Sequence, residues 1–297
     1  MTAHDTTPLR GDERHNELLK GHTSWRVGGP ADVYFKPADR ADLADFLQRL
    51  DNDMPLLWLG LGSNLLVRDG GFRGAVIATH RALAALEQPA PNVVFAEAGV
   101  PCAKLAKRCA TYGVGPAEFF AGIPGTVGGA LAMNAGAFDG ETWRFVREVE
   151  TIDRDGVLRT RPANDFGVSY RQVKTPAPEW FISATFEFDA LDDDGTDAIR
   201  ALLARRKATQ PIGLPSCGSV FRNPPGDYAA RLIEQAGLKG LHVGGAQVSD
   251  MHANFIINTG DASAADIEAL MTLVRTVVAQ RFNVELIPEV KIVGEFQ

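Results

Sequence analysis

The sequence predicts an α+β fold with two or three domains, on three grounds. The chain has 297 residues, which is enough for more than one hydrophobic core. In 39–50 the apolar residues follow the i, i+3, i+4, i+7 spacing of an amphipathic helix. In 181–188 apolar and polar side chains alternate, as they do along a half-buried strand.

Five helices are predicted, and most have recognisable ends. Pro101 suits the first position of one helix, where a missing N–H group costs nothing. Ser263 and Asp266 form a capping-box-like start to the longest helix, and Gly237 closes the helix before it. In chain order the predicted helices are 39–50, 101–112, 197–207, 228–236 and 263–282.

Short strands are predicted between these helices, from brief apolar or alternating runs. They are 56–59, 65–67, 75–78, 92–99, 146–152, 181–188, 254–258, 284–287 and 290–293. Residues 1–20 are polar and are expected to form a loosely ordered lead. The polar, turn-rich stretch 189–196 is the best candidate for a domain boundary.

Two glycine-rich loops suggest a ligand: GLGSNLLVRD at 60–69 and AGIPGTVGGALAMN at 121–134. Glycine allows backbone N–H groups to converge on one anion, so the pair could grip a diphosphate from two sides. Leu65 replaces the last glycine of a Rossmann fingerprint, and no Gly-Lys-Ser/Thr ending supplies a P-loop. A nucleotide-type cofactor is the first hypothesis, and ordinary tight turns are the alternative. The candidate cofactor-binding residues are Gly60, Gly62, Ser63, Asn64, Leu65, Gly122, Ile123, Pro124, Gly125, Thr126, Gly128, Gly129 and Ala130.

Composition narrows the class of protein. The net charge of −7 disfavours nucleic acid as a partner. No apolar run approaches the ~20 residues that cross a bilayer, and the polar N-terminus leads us to expect no secretory signal. Three widely spaced cysteines favour a reducing cytoplasm over a disulfide framework. No cluster of Cys, His and carboxylates suggests a metal site.

Four further segments bring a family resemblance. They are TSWRVGGPADV (23–33), SYRQV (169–173), CGSVFRNP (217–224) and IPEVKIVG (287–294), and HANFIIN (252–258) supports them. Together with the two glycine loops, they resemble the UDP-N-acetylenolpyruvoylglucosamine reductases of peptidoglycan synthesis. The resemblance runs in order and in register from about Thr23 to Gly294.

The resemblance implies a two-part FAD-binding domain of the vanillyl-alcohol-oxidase (PCMH-like) type and a C-terminal α+β domain that binds substrate. The expected limits are 1–82 and 83–196 for the FAD-binding parts and 197–288 for the substrate domain, and it is open whether strand 289–297 returns to the first part. Non-covalent FAD and NADPH are the implied cofactor and co-substrate. The implied reaction reduces UDP-N-acetylglucosamine enolpyruvate to UDP-N-acetylmuramate.

The resemblance also implies three catalytic residues. Arg171 would stabilise the charge that builds on the substrate carboxylate, because a guanidinium matches a planar carboxylate with two parallel N–H bonds. Glu289 beside that carboxylate would have a raised pKa and donate a hydrogen bond when protonated. Ser219 would protonate C2. Pattern alone does not choose Ser219 over Ser216, and without the resemblance a surface ion pair, a turn serine and a strand-end glutamate are the simpler interpretations.

Weaker expectations concern substrate contacts: Tyr170, Arg222, Asn223, Lys239, Gln247 and His252. Some family members carry an insertion with a tyrosine that closes over the substrate. Here Phe188 leads to Gln210 without any tyrosine, so the chain resembles the shorter subtype. Two other functions remain open, an FAD-dependent oxidase of a small alcohol or amine and a non-catalytic nucleotide-sugar-binding protein. A cytoplasmic monomer is expected.

Overall fold

The computed structural model describes residues 8–191 and 195–297. Within them are six α-helices and twenty strands, several of only two residues. Helices α1–α6 are Arg40–Arg49, Cys102–Tyr112, Val127–Met133, Thr196–Thr209, Ala229–Gln235 and Ala264–Phe282. Strands β1–β20 are Asp12–Leu18, Pro30–Lys36, Leu56–Leu59, Leu65–Val67, Phe72–Ala78, Leu86–Ala90, Val93–Glu97, Val114–Gly115, Gly136–Ala137, Gly140–Glu141, Val146–Asp153, Leu158–Pro162, Gly167–Ser169, Gln172–Lys174, Glu179–Glu187, Asp189–Ala190, His242–Val243, Ala246–Val248, Ile256–Asn258 and Lys291–Val293.

The N-terminal part is a four-stranded mixed sheet in the order β1-β2-β5-β3. Strands β2 and β3 run parallel to β5, and β1 runs antiparallel to β2. Helix α1 covers one face, where Phe35 and Phe46 stack with ring centroids 4.0 Å apart. The side chain of Asp39 accepts a hydrogen bond from Asp42 N and so caps the start of α1.

The middle part is a five-stranded antiparallel sheet in the order β12-β11-β15-β7-β6. Helices α2 and α3 pack on it and share its hydrophobic core, which is rich in phenylalanine. The two sheets are joined across their boundary by a core that includes Ile152 and Ile182. Arg40 of α1 also bonds Glu97 and Glu150 of the second sheet, at 2.8 Å and 2.7 Å.

The C-terminal part packs α5 and α6 on the small sheet β17-β18-β19. Trp25, from the N-terminal part of the chain, is fully buried in this core and donates from Nε1 to Ile256 O at 2.7 Å. Asp69 accepts from the amides of Ala264 and Ala265, and so helps Ser263 to cap α6. The C-terminal part is therefore fixed to the N-terminal part by buried contacts.

The end of the chain returns to the N-terminal part. Strand β20 pairs in parallel with β4, with Lys291 opposite Leu65. Arg68 then contacts the segment beyond β20, since it donates to Gly294 O and lies 4.0 Å from the centroid of the Phe296 ring. The domain limits 1–82, 83–196 and 197–288 stay a prediction.

All five predicted helices are confirmed to within two residues at either end, and most predicted strands are confirmed. The expectation of a loose lead is wrong for Asp12–Leu18, which forms an edge strand; residues 1–7 of that lead lie outside the described residues. The side chains of this strand are mostly exposed, so it is held by backbone hydrogen bonds and has no apolar pattern from which it could be predicted.

Two other differences concern local structure. The predicted strand 284–287 is wrong: this stretch forms no strand, although Ile287 O accepts from Arg222 N next to the bridge between Phe221 and Pro288, and only Leu286 is fully buried. Helix α3 within the second glycine-rich loop is not predicted from the sequence, because glycine disfavours helices. Of the predicted boundary 189–196, the first two residues form β16, and 192–194 lie outside the described residues.

Candidate active site

A cavity of about 510 Å³ lies where the three parts of the chain meet. The loop between β3 and β4 forms one wall, and the loop that precedes α3 forms another. These loops touch: a Cβ on Gly60 would lie 2.4 Å from Thr126 Oγ1. Gly62 has a φ of +60°, and a Cβ there would lie 2.3 Å from His22 O, so only glycine fits.

The first loop offers backbone donors that have no protein acceptor. Among the described residues, the amides of Gly62, Ser63 and Asn64 donate no hydrogen bond. Three consecutive N–H groups without a protein acceptor at a cavity wall can converge on one anion, so they suit a ligand phosphate. These residues therefore fit the diphosphate of FAD.

The second loop contains glycines of two kinds. A Cβ on Gly125 would meet nothing closer than Ser63 Oγ at 3.4 Å, and one on Gly129 nothing closer than 4.0 Å, so both face open space. Gly128 instead packs on the second sheet: its N–H donates to Ala98 O at 2.9 Å. All the predicted cofactor-binding residues line the cavity except Gly128.

Arg171 reaches the cavity from a two-residue hairpin loop. Strands β13 and β14 pair Ser169 with Gln172, which leaves Tyr170 and Arg171 in the turn. Arg171 has a φ of +54°, a conformation that costs free energy in any residue with a Cβ. Its side chain donates to Gly136 O at 3.1 Å, so the backbone beside the second loop fixes its direction.

Ser219 and Glu289 lie on two extended segments that pair antiparallel. Glu289 N donates to Val220 O at 2.8 Å, and Arg222 N donates to Ile287 O at 2.9 Å. This pairing places residues seventy apart in the sequence side by side. Both Ser219 and Glu289 line the same cavity as Arg171. The Ser219 hydroxyl has no hydrogen-bond partner among the described residues.

Glu289 lies beside two arginines whose Nε atoms are buried without an acceptor among the described residues. Arg171 Nε lies 3.1 Å from Glu289 Oε1, yet its N–H does not point at that oxygen, and Nε is a buried donor without an acceptor. The Nε atom of Arg222 is buried and unpaired in the same way. Burial raises the pKa of Glu289, although the charges of Arg171 and Arg222 oppose the shift. The guanidinium of Arg171, which lines the cavity, suits a ligand carboxylate, and Arg222 adds positive charge near Glu289.

The predicted substrate contacts are divided in space. Tyr170 and Asn223 line the cavity, and Asn223 also accepts from Ala229 N at the start of α5. Arg222 does not line the cavity but acts on the charge of Glu289.

The other three are elsewhere in the C-terminal part. Lys239 pairs with Glu234 at 2.6 Å, Gln247 is 3.5 Å from Asp250, and His252 packs on Phe255. The pKa of His252 is lowered, chiefly by burial. In the described structure none of these three reaches the cavity wall.

Several lining residues were missed from the sequence. Trp58 and Trp180 both line the cavity and stack 5.4 Å apart, and Trp58 Nε1 is a buried donor without an acceptor among the described residues. Phe138 also lines the cavity, and it and Asp139 have positive φ in the turn between β9 and β10. No local sequence motif identifies these residues, because segments far apart in the sequence bring them to the same cavity.

Other chemistry finds little support in the described residues. Within 8–191 and 195–297, no group of three or more His, Cys, Asp or Glu side chains could hold a metal ion. No helix in the same ranges has the length and apolar character to cross a membrane. Cys217 lines the cavity, but burial raises the pKa of its thiol to about 12, so it stays protonated and unreactive.

Comparison with known proteins agrees with this geometry. Residues 31–161 match the model of an FAD binding domain. Residues 210–293 match the model of the UDP-N-acetylenolpyruvoylglucosamine reductase C-terminal domain. The two matches cover the glycine loops and the segment with Ser219 and Glu289, respectively.

Whole-chain relatives give the same result. The chain is 61% identical over 288 residues to UDP-N-acetylenolpyruvoylglucosamine reductase of Alkalilimnicola ehrlichii, a match that covers 97% of this chain and 96% of that protein. It is 57% identical over 296 residues to the reductase of Methylococcus capsulatus, with 99% and 97% covered. The crystal structure of the Thermus caldophilus reductase superposes with a TM-score of 0.82 at 31% identity, covering 96% of this chain and 99% of that one. The chain therefore belongs to the UDP-N-acetylenolpyruvoylglucosamine reductase family and is an FAD-dependent oxidoreductase.

Proposed function

We propose that this chain uses NADPH to reduce UDP-N-acetylglucosamine enolpyruvate to UDP-N-acetylmuramate, in the synthesis of peptidoglycan precursors. The observation that carries the proposal is one cavity lined by two sets of residues. The glycine loops supply free backbone amides, and Arg171, Ser219 and Glu289 supply the side chains that would act on the substrate. Family membership favours this reductase over an oxidase and over a non-catalytic binding protein.

The chain would hold the cofactor without a covalent bond. The amides of residues 62–64 would donate to its diphosphate, and the other lining residues of the two loops would surround it. The chemistry that bound FAD supplies is hydride transfer, from NADPH to C3 of the enolpyruvyl group. Gly128 belongs to this site indirectly, since its contact with the second sheet sets the position of α3.

Arg171 and Glu289 stabilise the negative charge that appears on the substrate when C3 gains hydride. Arg171 donates to the substrate carboxylate, because its guanidinium lines the cavity and its bonds to Asn134 O and Gly136 O use only one hydrogen of each terminal nitrogen. Glu289 donates a hydrogen bond to the developing enolate in its protonated form, which burial favours by raising its pKa. Both side chains are less than one-fifth exposed, so water screens these contacts weakly.

Ser219 delivers the proton to C2. Its hydroxyl lines the cavity and is free of partners among the described residues, so it can turn toward the substrate. A serine hydroxyl is a weak acid, and the step requires a strongly basic carbon such as C2 of an enolate. The reaction therefore needs two separate contributions from the chain. Arg171 and Glu289 stabilise the enolate, and Ser219 donates the proton.

The UDP-sugar is held by residues beside this end of the cavity. Tyr170 and Asn223 line it, and Arg222 adds positive charge behind Glu289. Lys239, Gln247 and His252 do not line the cavity, so they would contact only a portion of the substrate that extends beyond it. We further propose that the chain acts as a cytoplasmic monomer, divided at 1–82, 83–196 and 197–288. Three free, buried cysteines suit a reducing compartment.

The test separates the two half-reactions. The purified protein is reduced anaerobically with NADPH while flavin absorbance is followed, and the enolpyruvyl substrate is then added without oxygen. We expect bleaching by NADPH and rapid recolouring by the substrate. A protein that carries no flavin supports the binding-protein alternative. Recolouring by oxygen but not by the enolpyruvyl compound supports the oxidase.

A further inference from the structure

Asn64 lies in the first glycine loop, but its side chain contacts the segment that carries Glu289. Its Nδ2 atom donates to Glu289 O at 3.1 Å and to Met133 Sδ at 2.9 Å. An amide nitrogen has two hydrogens, so both donors are in use. The side chain of Asn64 is therefore not free to donate to a cofactor, although its backbone N–H is.

Glu289 depends on such contacts because it lies outside the strands of the fold. In 284–290 the only β-pairing among the described residues is the single bridge of Pro288 with Phe221, and β20 begins two residues after Glu289. Its backbone is fixed at two points: its N–H donates to Val220 O, and its carbonyl accepts from Asn64. Lys291 N then donates to Asn64 O at 3.1 Å, so Asn64 binds this segment with its main chain and its side chain together.

We propose that Asn64 is a positioning residue, which holds the Glu289 carboxyl group against Arg171 from within the cofactor loop. The same residue presents a free backbone amide to the cofactor and fixes the acid that acts on the substrate. This inference rests on the proposed function, because it assigns Asn64 a role through Glu289.

The expected consequence of losing this contact follows from the geometry. Glu289 is partly buried, and the charged groups that face it are Arg171 and Arg222. Without the Asn64 bond its backbone can move outward, and water then reaches the carboxyl group. Hydration favours the charged form and lowers the raised pKa of Glu289. The substrate half-reaction should then slow, and its alkaline limit should shift to lower pH.

The test uses three variants of the holoenzyme. Asn64→Ala removes the donor, and Asn64→Asp keeps the shape but places an acceptor against the Glu289 carbonyl. Asn64→His can place Nδ1–H near the position of Nδ2. We expect flavin content and bleaching by NADPH to be retained in Asn64→Ala and Asn64→His, because the donor that Asn64 offers to the cofactor is its backbone N–H. Recolouring by substrate should slow about 10- to 100-fold in Asn64→Ala and Asn64→Asp, in the range for a misplaced catalytic group, and Asn64→His should recover part of the rate.

A double-mutant cycle with Glu289→Ala gives the sharpest result, because alanine removes the donor that Asn64 is proposed to position. If Asn64 acts through Glu289, Asn64→Ala should slow recolouring much less when it is combined with Glu289→Ala than when it is made alone. Equal effects in both backgrounds would overturn the proposal, as would loss of flavin from all three variants, which would assign the side chain to cofactor retention. Failure of the native protein to recolour with substrate would instead count against the proposed function.

Discussion

Replacement of Glu289 by glutamine tests the charge state on which the proposed chemistry depends. The glutamine keeps the size of the side chain and a hydrogen-bond donor, but it cannot ionise. Burial raises the pKa of Glu289 above its ordinary value of 4.5, against the pull of Arg171 and Arg222. The protein therefore disfavours the charged carboxylate more than the two arginines stabilise it.

The change in unfolding free energy caused by Glu289→Gln depends on whether Glu289 is charged in the folded protein. If Glu289 and Arg171 form a stabilising buried ion pair, removing one charge costs about 3–5 kcal/mol at neutral pH. If Glu289 is neutral in the folded protein, the change costs one ordinary hydrogen bond, about 1 kcal/mol. A raised folded-state pKa contributes stability below pH 4.5, and this is lost as pH rises through the folded pKa. We thus expect Glu289→Gln to gain stability relative to the native protein as pH rises.

The assay is urea unfolding at several pH values, with the substrate half-reaction measured over the same range. Glu289→Gln should lose the alkaline limit that Glu289 gives to recolouring, while bleaching by NADPH is unchanged. Glu285→Gln is the matched control, because Glu285 lies on the same segment but its side chain is 79% exposed. A stability deficit in Glu289→Gln that grows with pH would refute the reasoning.

Three further outcomes are expected. Ser219→Ala should keep bleaching by NADPH but slow recolouring by ~10²-fold or more, the range for a lost general acid, and equal loss in both stopped-flow phases would contradict the donor role. Gly125→Ala should fold with a native circular dichroism spectrum but bind FAD more weakly in a titration of the apoprotein, because its Cβ enters the cavity. Undiminished affinity would place the cofactor elsewhere. Asp69→Ala should lower the unfolding free energy by about 1–2 kcal/mol, as the loss of a helix cap does, and urea unfolding with no such loss would contradict its capping of α6.

Local patterns in the sequence predicted much of the fold. Helix α6 has an aliphatic stripe and a capping box, which are signals contained within twenty residues. The glycine loops identified a nucleotide-type cofactor because close approach of backbone to an anion requires residues without side chains. The catalytic residues needed the family resemblance, since an arginine in a turn or a serine in a loop has no distinctive local pattern.

Tertiary structure decided what local patterns could not. Asp12–Leu18 is a strand because β2 offers an open edge, not because its own residues prefer one. Gly125 and Gly128 are equivalent in the sequence, yet one faces the cavity and the other packs on Ala98.

The sequence by itself favoured a nucleotide-type cofactor and located five of the six helices of the described residues, because these signals lie in neighbouring residues. Only the tertiary structure decided that Asn64 bonds the carbonyl of Glu289, and that Glu289 is buried beside Arg171 with a raised pKa. Contacts between residues more than a hundred positions apart, and the loss of water that accompanies them, depend on how the whole chain packs.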